Sequence, residues 1–154
     1  YKKNNICICG TSSHKIYKIK RLLKKIDTII LNKQEATNLT KKETIKDSMD
    51  HIIKQNKNLD IIITNGKNSV NVYINKINFL IYPPIIKIKN ENGAGDALIA
   101  IFNYFYCDSF DKFDAINMGI CGGALQASGY IGNKEKYLLK LKKLSRSLKS
   151  KIIK

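Results

Sequence analysis

Residues 59–64 read LDIIIT, three isoleucines in a row between an aspartate and a threonine. A run this short and apolar, rich in β-branched side chains, reads as a strand buried on both faces. Polar TNGKNS follows it, and upstream lies KKETIKDSMDHIIKQNKN, where Ile45, Met49, Ile52 and Ile53 share one helical face. Further upstream, TIIL (residues 28–31) is a second short strand. It runs into NKQEATNL, a polar entry to a short helix. At the start, Asn5 to Cys9 reads as a strand, and CGTSSH offers Ser12 or Ser13 as the cap of a helix KIYKIKRLLKKI. Downstream, VNVYI and INFLIY form two more strands around a turn, ended by Pro83 and Pro84. From Ala94 onward every segment reads helical, including the basic tail with Leu138, Leu139, Leu141 and Leu144 at roughly helical spacing.

Strand and helix alternating at this spacing predict an α/β fold, a mainly parallel sheet flanked by helices, with a local antiparallel insertion near residues 70–82. In such sheets ligands gather at the carboxyl ends of the strands. The polar clusters GTSSH, LNKQE, TNGKNS and NENGAGD are therefore expected along one edge.

The bulk properties set the frame. At 154 residues the chain is one domain's worth, and 44% hydrophobic residues support a packed core. With neither a signal segment nor a bilayer-length apolar run, the expected compartment is the cytoplasm. Cys7, Cys9, Cys107 and Cys121 fall in no metal or redox spacing, and His14 and His51 stand alone, so surface histidines and incidental thiols are expected. A net charge of +16, from 28 basic and 12 acidic residues, would suit an anionic partner. Lysine, asparagine and isoleucine share AT-rich codons, however, and the lysines are spread along the chain. Base composition plus phosphate-bearing ligands accounts for them without a dedicated nucleic-acid surface.

The stretch NENGAGDALIAIF, residues 90–102, carries the chemistry. Gly93 and Gly95 let a ligand approach the backbone, and the helix beginning at Ala94 is apolar almost all round. The start of such a helix presents unpaired N–H groups and partial positive charge to an anion. Asp96 then sits in the first turn, either as a plain helix-start acid or as a base beside a phosphoryl group.

This segment resembles the Asp-Thr-x-Gly-Ala-Gly-Asp signature of the ribokinase-like (PfkB-type) carbohydrate kinases. The resemblance implies Gly93, Ala94 and Gly95 as an anion hole and Asp96 as the catalytic base. LNKQEA resembles the family's Asn-x-x-Glu element, giving Asn32 and Glu35, with Glu35 acting indirectly on Mg2+. TNGKNSV resembles its nucleotide loop, giving Thr64 and Gly66, and Gly119 and Gly122 fall where the family lines its adenine pocket. ATP and Mg2+ are the implied cofactors, with K+ held weakly by Asn90 and the loop around Ser128 to Gly132.

Within the family the nearest likeness is to pseudouridine kinases, through Asn90, GAGDAL and LNKQEA. The partners expected are ATP and a sugar or nucleoside, without a membrane, and a homodimer is open. Three departures stand out: Glu91 for the usual Thr, Ser69 for a loop glycine, and a missing N-terminal half with its β lid. Residues 1–154 then form the C-terminal, nucleotide-binding part of a kinase domain. The alternatives are an inactive kinase remnant and a basic nucleic-acid-binding module.

Overall fold

A computed structural model describes residues 6–10, 12–108 and 111–153. The chain divides into two compact units, Tyr1–Ile81 with Ser150–Lys154, and Tyr82–Lys149.

The first unit is built on a sheet in the order β1(Cys7–Cys9), β2(Thr28–Asn32), β3(Asp60–Thr64), β4(Val70–Ile74), β5(Ile77–Tyr82), β6(Lys149–Ile153). The β1–β2 and β2–β3 pairs are parallel; β3–β4 and β4–β5 are antiparallel. The sheet is thus mixed, and the antiparallel insertion lies where the sequence places it. β4 and β5 are joined at Asn75 and Lys76, both at positive φ (49° and 66°). Two successive left-handed residues make a turn that matches the right-handed twist of a hairpin.

The connection from β2 to β3 carries α1(Lys33–Thr40) and α2(Ile45–Gln55). Ile29 and Leu31 of β2, Ile61 and Ile63 of β3, and Tyr73 of β4 pack with Ala36, Leu39, Met49 and Ile52 of these helices. Each large aliphatic side chain so buried contributes about 1.5–3 kcal/mol relative to exposure. Ile45 and Ile53 are only half-buried at the margin of this cluster, so the four-residue face of α2 is buried at its centre alone.

Two expectations are corrected. Residues 16–22 form a 3₁₀ helix, Ile16–Leu22, rather than an α-helix. Its N-cap is Lys15, with no side-chain cap bond, so neither Ser12 nor Ser13 caps it. Ile16, Ile19 and Leu22 recur every third residue, the period of a 3₁₀ turn, and Ile16, Leu23 and Ile26 enter the core. The basic tail is not helical throughout. α5(Lys134–Ser145) ends, and residues 149–153 form β6, exposed along its whole length. Only Leu141 of the leucine row is fully buried, while Leu139 is 69% exposed.

The second unit contains α3(Ala94–Cys107), α4(Lys112–Ala127) and α5. α3 and α4 pack closely because α4 carries glycines where it meets α3. A Cβ at Gly119 would lie 2.8 Å from the Leu98 carbonyl oxygen, and one at Gly123 2.8 Å from that of Ala94. Cys121 on α4 is sealed from solvent, and burial pushes its thiol up to about 12, so it stays protonated. No helix among the described residues is long and apolar enough to cross a membrane.

Candidate functional site

In the first unit, the ends of the parallel strands bring five residues to one edge. Asn32 and Thr64 are register partners at the ends of β2 and β3. Gly10 follows β1, its N–H donating to the Ile30 carbonyl at 2.9 Å. Gly66 opens the loop after β3 at φ 57°. Glu35 enters from the first turn of α1.

Asn32 and Glu35 hold each other. The Asn32 Oδ1 accepts from the Glu35 N–H at 2.8 Å, and Glu35 Oε2 accepts from the Asn32 N–H at 2.8 Å. This reciprocal capping box satisfies two donors at the start of α1. Glu35 is 4% exposed, and among the described residues no donor is assigned to its second oxygen, Oε1. The Asn-x-x-Glu spacing therefore has a complete structural use before any ligand is considered.

No motif in the sequence marks Gly10. A Cβ there would overlap the Glu35 carboxylate, with Oε1 only 2.9 Å away. The signal was a glycine placed directly after a strand, one residue beyond Cys9. Thr64 Oγ1 leans on the Leu31 carbonyl at a long 3.5 Å. Gly66 sits in a tight loop where the Asn68 N–H donates to the Asn65 carbonyl at 3.0 Å. Ser69, half-buried, fits at the end of this loop just before β4.

In the second unit, Gly93 is the N-cap of α3, left-handed at φ 76°, ψ 0°, with no side-chain cap bond. Only glycine adopts this conformation without strain. Gly95 differs: its φ is ordinary, and a Cβ built on it meets nothing within 4 Å. Neither backbone nor packing within the chain requires glycine there. Among the described residues, the N–H groups of Gly93, Gly95 and Asp96 have no acceptor, whereas that of Ala94 donates to the Glu91 carbonyl at 3.1 Å. Gly93, Gly95 and Asp96 are all exposed. An uncapped helix start with open N–H groups and a carboxylate in its first turn can receive an anion and place a base beside it.

The approach to this turn is tied to the end of α4. The Ala127 carbonyl accepts from Lys89 N–H at 2.8 Å and Asn90 N–H at 3.0 Å. Asn90 and the 128–132 loop are thereby neighbours. Asn90 Oδ1, the expected cation ligand, already accepts from the Asn92 N–H at 3.0 Å. Gln126 reaches toward Gly93 from the same helix end, its Nε2 3.5 Å from where a Gly93 Cβ would lie. Gly119 and Gly122 are buried against α3, and a Cβ at Gly122 would press on Ile101 Cγ1 at 2.7 Å. Helix packing accounts for both, and neither presents a surface to a ligand. No cluster of three or more His, Cys, Asp or Glu side chains able to hold a metal occurs among the described residues.

The fold and sequence have known relatives. The chain is similar in structure to a Clostridium perfringens protein provisionally assigned as a sugar kinase, with a TM-score of 0.81 and 19% identity, covering 99% of this chain and 51% of that one. It is also similar to a carbohydrate kinase from Agrobacterium tumefaciens (TM-score 0.73, 22% identity, 96% of this chain and 48% of that one). A third likeness is to a provisionally assigned ribokinase of Escherichia coli in complex with ATP and Mg2+ (TM-score 0.74, 16% identity, 93% and 49%). The chain thus spans about half the length of these proteins. No curated protein matches the sequence. Residues 2–130 match the pfkB family carbohydrate kinase pattern, most of the chain and both groups of residues described above. The chain belongs to the pfkB family of carbohydrate kinases.

Proposed function

We propose that this chain supplies the nucleotide-handling half of an ATP-dependent phosphotransferase acting on a sugar or nucleoside hydroxyl, with pseudouridine as the favoured acceptor. The observation that carries the reading is Gly95. It is a glycine in the first turn of α3 with an ordinary φ, so the backbone does not call for it, and its missing Cβ faces open space. A ligand approaching the backbone is what gives that glycine a use. The likeness to a structure holding ATP and Mg2+ supports the same ligand class.

Phosphoryl transfer depends on positioning and charge stabilisation more than on covalent chemistry. The open N–H groups of Gly93 and Gly95, at the positive end of α3, donate to the oxygens of the transferred phosphoryl group. The Ala94 N–H joins them only by leaving the Glu91 carbonyl. Asp96, on the same turn, takes the proton from the attacking hydroxyl. Thr64 and Gly66 contact the nucleotide.

The residues present fit magnesium. Mg2+ is commonly held by one or two carboxylates together with substrate phosphates and water, not by an all-protein cage. Glu35 offers a carboxylate that would act on the ion indirectly, through its waters, with Oε2 fixed by the Asn32 N–H. Magnesium, when bound, neutralises charge on the phosphates. A monovalent cation beside Asn90 and the 128–132 loop belongs to the same reading.

The test is Asp96→Asn in the full-length protein. ATP binding, read by calorimetry, is retained while phosphorylation falls about 10²- to 10⁴-fold, the usual contribution of a positioned general base. An unchanged turnover removes Asp96 from the role. Comparing kcat/KM for pseudouridine, uridine and ribose identifies the acceptor, and a preference for ribose rejects the pseudouridine assignment.

A further inference from the structure

The 3₁₀ helix Ile16–Leu22 has a consequence that an α-helix would lack. With three residues per turn, side chains three apart stack in straight rows, about 6 Å from one to the next. Ile16 and Ile19 form the row turned to the core. Tyr17 and Lys20 form a second row, and Lys18 and Arg21 a third. The two outer rows and Gln55, at the end of α2, line a cavity of about 660 Å³. All five residues belong to the first unit.

Two features mark this cavity off from the general lysine content of the chain. It is concave and within the size range of small-ligand pockets, with the three cations Lys18, Lys20 and Arg21 in its lining. Its aromatic ring, Tyr17, is 58% exposed beside them. The neighbouring His51 reports the local field. Its pKa is lowered by partial burial first and then by the charges of Lys42, Lys20 and Lys54. The ring stays neutral and makes a 2.7 Å hydrogen bond with the Gln55 side chain through Nε2.

We propose that the cavity lined by Tyr17, Lys18, Lys20, Arg21 and Gln55 is a second nucleotide-phosphate site, separate from the Gly93–Asp96 turn. The cations take the phosphate, the tyrosine ring stacks on the base, and the Gln55 amide contributes polar contact. Cations beside an exposed aromatic are the elements by which nucleotide units are held without base-specific readout. The ligand is either a free nucleotide or one unit of single-stranded RNA, which share this chemistry.

The experiment measures binding of uridine monophosphate and of an oligouridylate of about ten nucleotides to the full chain. It compares the wild type, Lys18→Glu/Arg21→Glu, Tyr17→Ala, and the equally basic control Lys140→Glu/Lys143→Glu on α5. All the altered residues are exposed, and melting curves verify folding. The proposal expects the double reversal at the cavity to weaken binding at least ten-fold, Tyr17→Ala to weaken it several-fold, and the α5 control to change it less than three-fold. Binding to the strand should also lose about 1.4 from its log–log salt slope when two phosphate contacts go. A strand held ten-fold more tightly than the monophosphate identifies RNA as the source, and comparable affinities identify the free nucleotide. No binding by the wild type, or equal losses in the cavity and control variants, overturns the proposal. Because the readout is binding of a pyrimidine probe, its failure is distinct from loss of phosphotransfer in Asp96→Asn.

Discussion

Two helices in this chain begin in opposite ways. α1 closes on itself: Asn32 and Glu35 exchange hydrogen bonds, and Glu35 is buried. α3 begins with a left-handed glycine, no side-chain cap, and an exposed acid in its first turn. Both starts carry the same partial positive charge. One spends it on its own side chains, and the other leaves it facing outward. The difference separates a buried acid tied into the fold from an exposed acid on an uncapped helix start.

Substitutions can break this contrast or make it sharper. The largest effect on stability is expected from Gly10→Ala, because its methyl group overlaps the Glu35 carboxylate. Forcing atoms into an occupied space costs about 1–3 kcal/mol, and thermal melting should show it. A melting temperature equal to that of the wild type would mean that Glu35 moves freely and that the α1 start is not closed after all.

Next comes Asn32→Ala, which removes the cap acceptor for the Glu35 N–H. Loss of such a cap costs about 1 kcal/mol, measurable as a lower denaturant midpoint at unchanged slope. The smallest stability effect, of opposite sign, belongs to Gly95→Ala. Alanine there should stabilise α3 by up to about 1 kcal/mol while weakening ATP binding, since the new methyl group meets only what binds from outside. Stabilisation with unchanged ATP affinity would leave the α3 start as an ordinary helix end.

Much of this arrangement is legible in the residues. LDIIIT, TIIL and the paired strands around residue 75 announce themselves because short β-branched runs between polar turns have few other uses. GAGD announces the start of an apolar helix after a glycine turn, but leaves open whether Asp96 is a plain helix-start acid or a base. The 3₁₀ helix was hidden because Ile16, Ile19, Leu23 and Ile26 satisfy a period of 3.6 nearly as well as one of 3. β6 was hidden behind leucine spacing that continued a helical pattern into KSKII. Gly119 and Gly122 illustrate a different limit. A glycine that admits a ligand and a glycine that admits another helix look the same in sequence, and only the Leu98 and Ile101 atoms facing them tell which is which. Gly10 escaped notice because its partner lies twenty-five residues away, on another element.

The left-handed positions of the backbone sort themselves in one further way. Lys41, Asn75 and Lys76 adopt positive φ despite bearing side chains, whereas Gly66, Gly93 and Gly129 adopt it as glycines. Lys41 ends α1, and the Asn75–Lys76 pair makes an outlying hairpin tip, so distortion of about 1–2 kcal/mol per residue is parked where nothing has to fit. The three glycines occupy the nucleotide-like loop, the α3 cap and the bend after α4. In a chain that fills even contorted turns with lysine and asparagine, the left-handed glycines at these three bends carry none of that distortion.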